Sequence, residues 1–234
     1  MKTCVIMQPT YLPWSGYFNL MANADAFVFL DDVQFSRRSW QTRNRILLNG
    51  NEVMLTVPVQ SSDRDQTRVR DVRIASGPWP RKHFASLTQA YSNAAFGREL
   101  LAIISSAYES LDSATHLATF NRNLIVLLAQ ALAIDKPLLN ASALKCSGHR
   151  SEHLLNICLT VGCDEYLSPV GSAEYLAEDD FASNGRVSLR FQSYVPAPYP
   201  QPKTEIFVSH LSVVDVIAHH GLEFARHYVR GSLP

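Results

Sequence analysis

The chain has 234 residues, 47% hydrophobic and 18% charged, with Lys plus Arg and Asp plus Glu each totalling 21. That length buries a substantial core without staples, and the charge balance argues against a general nucleic-acid binder, which shows a basic excess. Cysteines without CxxC spacing, an apolar run before Gln8 and Pro9 too short for a secretory leader, and no apolar stretch of about 18 residues predict a cytoplasmic protein with reduced thiols and no membrane span.

Residues 3–7, TCVIM, are expected to form a short buried strand, followed by the loop QPTYLPW and a helix over about 15–23. DAFVFLDDVQF, 25–35, predicts a second strand, and its unbroken apolar run at Phe27–Leu30 suits a strand covered on both faces. Asn49-Gly50 between two β-rich runs predicts a hairpin over 43–59. Residues 60–78 read as a loop around a short strand at 71–75. Helices are expected near 79–91, 97–110 and 114–132, the last with Leu124, Leu127, Leu128 and Leu132 on one face. KPLLNAS then reads as a strand, RSEHLLNICLTVG as a helix closed by Gly162, DEYLSP as a strand and SLRFQSYV, 188–195, as another. Its prolines exclude regular structure in APYPQP, and LSVVDVIAHHG predicts a helix ended by Gly221. Alternating strands and helices predict an α/β fold: an open, mostly parallel sheet with flanking helices, plus a β-hairpin and a helical middle segment. The chain reads as one α/β domain, 1–234, with 79–132 as a helical sub-lobe.

A loop between the first strand and first helix lies where open α/β sheets bind ligands. Gln8, Pro9, Tyr11, Trp14 and Tyr17 are candidate substrate-binding residues there. Pro9 and Pro13 stiffen the backbone, the aromatics offer flat faces with polar edges, and Gly16 admits a close approach at the helix start. Aromatics at a helix entry also commonly pack in the core. Asp31 and Asp32 fall at the end of the second strand, where neighbours point to opposite faces, so only one enters the site. Together with Gln34 they are the candidate catalytic residues, as base or hydroxyl binder, with a solvated strand end as the alternative. Arg37, Arg38, Arg43 and Arg45 follow within nine residues. Arginine forks grip phosphate or carboxylate, Trp40 offers a stacking face, and Asn44 lies among them. In the second half, Arg150 and Ser151 open a helix at a phosphate-friendly terminus, and Ser168 ends the strand beside it.

Cys146, His149, His153, Cys158 and Cys163 cluster in sequence. Cys158 and Cys163 fall in and after the helix, on a different face from His149 and His153, which are spaced i,i+4, so buried thiols are expected rather than a metal site. No cofactor is expected.

QPTYLPWSGYF, DDVQFSRRSWQTRNRI, TVPV, WPRKHFASLTQAYSNAAF, RSEHLLNICLTVGCDEYLSP and PYPQ resemble the WbqC-like protein family over nearly the whole chain. The resemblance implies a cytoplasmic transferase of surface polysaccharide (O-antigen or lipopolysaccharide) or related glycoconjugate biosynthesis. It would move an acyl or aminoacyl group onto an activated, nucleotide-linked amino sugar. The expected partner is a small-molecule activated sugar or anionic substrate; the charge balance argues against nucleic acid and the lack of a long apolar stretch against a membrane. A non-catalytic nucleotide- or glycan-precursor-binding module is the alternative. Relatives commonly read YLSGPG where this chain has Tyr166-Leu167-Ser168-Pro169-Val170-Gly171, and lysine before Ser151 where it has His149-Arg150. The strand, proline loop and helix are also similar to nucleotidyltransferases such as pantoate–adenylate ligases, but residues 8–20 lack their signature histidines.

Overall fold

The computed structural model describes residues 1–60, 67–112 and 115–232. Five parallel strands form the main sheet: β1 (Thr3–Met7), β2 (Ala26–Phe29), β5 (Leu138–Asn140), β6 (Glu165–Ser168) and β7 (Ser188–Phe191), in the order β5-β2-β1-β6-β7. A separate antiparallel hairpin joins β3 (Arg43–Leu48) to β4 (Asn51–Thr56). The expected α/β fold is therefore present, hairpin included. Asn49 and Gly50 both take positive φ at its turn, the conformation such a dipeptide favours.

The helices are α1 (Ser15–Ala22), α2 (Trp79–Tyr91), α3 (Gly97–Glu109), α4 (Leu117–Ala131), α5 (Ala141–Leu144), α6 (Ser151–Thr160), α7 (Ala173–Glu178) and α8 (Val213–Arg230). They cover both faces of the sheet, which is why β1 from Cys4 to Met7 and all of β2 are apolar. Val5, Phe27 and Phe29 face a cluster built with α1–α4 and α8, whereas Cys4, Ile6, Ala26 and Val28 face a second built with α6 and α7. Helices α2–α4 thus share one core with the sheet. All four cysteines are unpaired, and Cys4, Cys158 and Cys163 sit together in the second cluster.

Two expectations are corrected. Residues 30–35 leave the sheet after Phe29, because the Asp31 carboxylate turns into Ser142 and the backbone of 31–35 pairs instead with 67–70. Residues 71–75 form only isolated bridges, Val59 with Ile74 and Arg73 with His116. As expected, Gly221 ends the first part of α8, taking a non-helical φ of 80° and ψ of 172°, and a second helical stretch follows it to Arg230. Residues 61–66 and 113–114, parts of the expected 60–78 loop and 114–132 helix, lie outside the described residues. Among the described residues no helix is long and apolar enough to cross a membrane.

Candidate functional site

From central β1 the chain builds outward through β2 and β5, then returns to add β6 and β7 on the other side. The strand order therefore reverses beside β1, and in open parallel sheets that switch point, beyond the carboxyl ends of the strands, opens a crevice. A cleft of about 610 Å³ lies there, between Gln8 after β1, Leu30 and residues 32–34 after β2, Arg68, and the turn that starts α6.

The two aspartates diverge as alternation requires. Asp31 is buried, and its carboxylate accepts from the Ser142 N–H at 2.8 Å and the Ser142 hydroxyl at 2.7 Å, pinning the start of α5. Asp32 lines the cleft, and its Oδ1 lies 3.2 Å from His153 Nε2 on the first turn of α6. The other ring nitrogen, Nδ1, lies 3.3 Å from the Ser147 carbonyl oxygen. A carbonyl only accepts, so Nδ1 carries a proton in either charge state.

Charge follows from these contacts. The hydrogen bond to Asp32 pushes the His153 imidazolium up, against burial, and the Asp32 charge and Ser147 carbonyl add to the rise. Burial pushes the Asp32 carboxyl up, but His153, a backbone N–H and the Arg70 charge outweigh it and leave Asp32 below the usual carboxylate value. With His153 protonated, the two form an ion pair inside the cleft.

Arg68 reaches the same cleft because 31–35 and 67–70 lie side by side: Phe35 N–H donates to Thr67 O at 2.8 Å, and Val69 N–H to Val33 O at 2.9 Å. Gln34 and Arg68 form a bridge within this pairing. Arg68 makes no ion pair among the described residues. Arg150 completes the wall with φ at 51° and ψ at −125°, a conformation costly for a residue with a Cβ. Its guanidinium is held by Glu178 at 2.9 Å and Asp179 at 3.1 Å.

The profile of the WbqC-like protein family matches residues 8–227. The chain belongs to that family. A Mycobacterium tuberculosis relative, the uncharacterized protein Rv1507c, is 33% identical over 181 residues, covering 77% of this chain and 78% of its own length. No solved structure matches.

In this WbqC-like protein the opening loop and the arginine-bearing stretch do meet. Tyr11 N–H donates to Trp40 O at 3.0 Å, and Gln41 Nε2 donates to Gln8 Oε1 at 2.6 Å. Most of the conspicuous side chains turn into packing, however. Tyr11 is fully buried, its hydroxyl shared between Tyr108 and a His83 ring that burial pushes down to about 4, hence neutral. Trp14 packs between Tyr194 and His210, and its ring occupies the space a Cβ on Gly16 would need, so the close approach at Gly16 is internal. Tyr17 is buried and donates to Gln8 O, while the carbonyl of buried Pro9 accepts from Asn121.

The arginines also disperse. Arg45 pairs with Glu52 at 2.6 Å, Arg37 is exposed beside Phe35 and Val59, and Arg43 sits on β3 away from the cleft. Ser151 N–H donates to Asp179, and fully buried Ser168 bonds to Pro169 O. Gln8, Asp32, Gln34 and Arg150 line the cleft with two residues that the sequence did not single out for it, Arg68 and His153. The i,i+4 histidines were visible as a pattern, but only the fold shows His153 turned to Asp32.

Asn44 is an anchor. Its buried Nδ2 donates to the carbonyls of Tyr11 at 3.1 Å and Leu12 at 2.7 Å, at a point where Leu12 holds a positive φ of 42°. Asn44→Ala strands two buried carbonyls and is expected to cost about 2–4 kcal/mol in urea unfolding, while ligand affinity of the protein that remains folded stays within about twofold, since Asn44 does not line the cleft.

Proposed function

We propose that this protein is a biosynthetic transferase of surface polysaccharide or related glycoconjugate assembly, moving an acyl or aminoacyl group onto an activated, phosphate-bearing amino sugar. The observation that carries the reading is the Asp32–His153 pair beside Arg68, which has no ion pair among the described residues, in a cleft at the switch point of the sheet. Arg68 and cationic His153 suit a phosphate. For transfer, neutral His153 turns its Nε2 lone pair from Asp32 to the attacking amine and takes its proton there, and the Asp32 carboxylate alongside stabilises the imidazolium that forms. The new C–N bond replaces the bond from the acyl carbon to its leaving group, which departs as an anion. Membership of the WbqC-like family, with the polysaccharide role that this resemblance implies, supports the substrate class.

The test is to incubate the protein with activated amino sugars and acyl or aminoacyl donors and look for the amide by mass spectrometry. Arg68→Ala is expected to weaken binding of the phosphate-bearing sugar about tenfold or more, as loss of a charge-assisted hydrogen bond does. Equal binding by the variant removes Arg68 from the site. A non-catalytic precursor-binding module is favoured by one observation, that both His153 nitrogens already face protein acceptors. Tight binding with no amide formed from any donor supports that second reading.

A further inference from the structure

A second cavity, about 430 Å³, adjoins the ionic cleft and shares Gln8, Leu30, Leu154 and Tyr175 with it. The two compartments differ in chemistry. The first holds Asp32, His153, Arg68 and Arg150. The second holds no charged residue and is walled by Met7, Trp40, Tyr166 and Tyr175. We propose that the second cavity is a nucleobase site, in which Trp40 and Gln41 hold the base of a nucleotide whose phosphates lie against Arg68 and His153. This rests on the anionic-substrate reading above and names the class of anion.

Two observations carry it. Trp40 is 51% exposed, an unusual state for the largest side chain, and is backed by the Arg45 guanidinium 5.9 Å from its ring centroid. Arg45 is itself held by Glu52 and by the carbonyls of Ser209 and His210. The indole is therefore a steadied platform, suited to stacking a flat ring. Gln41 is the second. Its side chain is 1% exposed and lines the cavity, its Nε2 is committed to Gln8, and its Oε1 has no hydrogen-bond partner among the described residues. A buried carbonyl without a donor is costly. Nucleobases combine the two features required, a π face for Trp40 and an N–H donor for Gln41. A simple acyl chain has neither. At Gly171 on the rim, an added Cβ would meet nothing within 4 Å, so the backbone there leaves room for a ligand.

The experiment compares inorganic pyrophosphate with the diphosphates of uridine, cytidine, thymidine, adenosine and guanosine by titration calorimetry on the full chain. At least one nucleoside diphosphate is expected to bind about ten- to a hundredfold more tightly than pyrophosphate, the gain a stacked base provides. Trp40→Ala should remove that gain and leave pyrophosphate affinity in place, and Trp40→Phe should restore most of it. Because Trp40 is largely exposed, neither variant threatens folding. If pyrophosphate binds and no base improves on it, or if Trp40→Ala leaves the nucleotide gain intact, the base site is wrong while the anion cleft stands. If neither pyrophosphate nor any nucleotide binds, both fail together.

Discussion

Replacing Asp32 with asparagine will move the titration of His153 from above the ordinary histidine value of 6.5 to below it. The Asp32 contact is the largest influence holding His153 up. Without it, burial and the Arg68 charge act downward against only the Ser147 carbonyl. Imidazole NMR on wild type and variant reads the midpoint directly. The kinetic consequence follows from the proposed role. A base must be neutral to act, so kcat/KM should rise with pH through the elevated His153 value and level off above it. Asp32→Asn should shift that acidic limb to lower pH and lower the plateau by about 10²–10⁴-fold, because the imidazolium formed on proton uptake loses its partner. An unmoved limb with an unchanged plateau sinks the assignment.

The same pair ties stability to pH in two directions. His153 is raised in the fold, so its contribution is full below 6.5 and is lost as pH climbs through its elevated value. Asp32 is lowered, so its contribution is full above 3.8 and is lost as pH falls through its depressed value. Between those limits the pair contributes most.

Local signals carried the fold further than the site. The turn at Asn49-Gly50 and the unbroken apolar runs of β1 and β2 are decided within a few residues, and each formed the expected structure. The expectation for 25–35 failed beyond Phe29 because Ser142, which captures Asp31, is 111 positions away. Gly221 marked the end of a helix and does break it, at φ 80° and ψ 172°, and the hydrophobic face that carries Ala225, Tyr228 and Val229 into the core draws the chain into a second helical stretch after it.

The site depended on direction rather than identity. Tyr11 and Trp14 were visible as unusual, yet nothing local says whether an aromatic at a helix entry faces a ligand or the core. Tyr11's decision lies with Tyr108, 97 residues on, and with His83. Arg68 stood outside every motif and becomes a wall of the cleft only because two irregular segments pair. In the second cavity, Gln41 looked like an ordinary loop polar residue. Its meaning comes from burial combined with an unmatched oxygen, which no sequence pattern encodes.

Asp215→Ala will be among the most destabilising substitutions in the chain. Asp215 is fully buried on the first turn of α8. Its Oδ1 accepts from the Tyr91 hydroxyl at 3.0 Å, and its Oδ2 from the Tyr199 hydroxyl at 2.8 Å. One carboxylate thereby ties α8 to the end of α2 and to the proline-rich segment before it. Alanine removes both acceptors and leaves two buried hydroxyls without partners, each costing about 1–3 kcal/mol. The expected loss is about 3–5 kcal/mol in urea unfolding, a large fraction of the 5–15 kcal/mol of a typical domain. Asparagine separates the hydrogen bonds from the charge. Burial pushes the Asp215 carboxyl up, so its ionised form is held at a cost that falls as pH drops through the elevated value. Asp215→Asn keeps the shape and one carbonyl acceptor and sheds that cost, so it should lose no more than about 1–2 kcal/mol. Its stability should also vary less with pH than that of wild type over the range in which Asp215 titrates. Equal losses for the two variants would mean that the charge itself, rather than the pair of hydroxyl contacts, holds α8 in place.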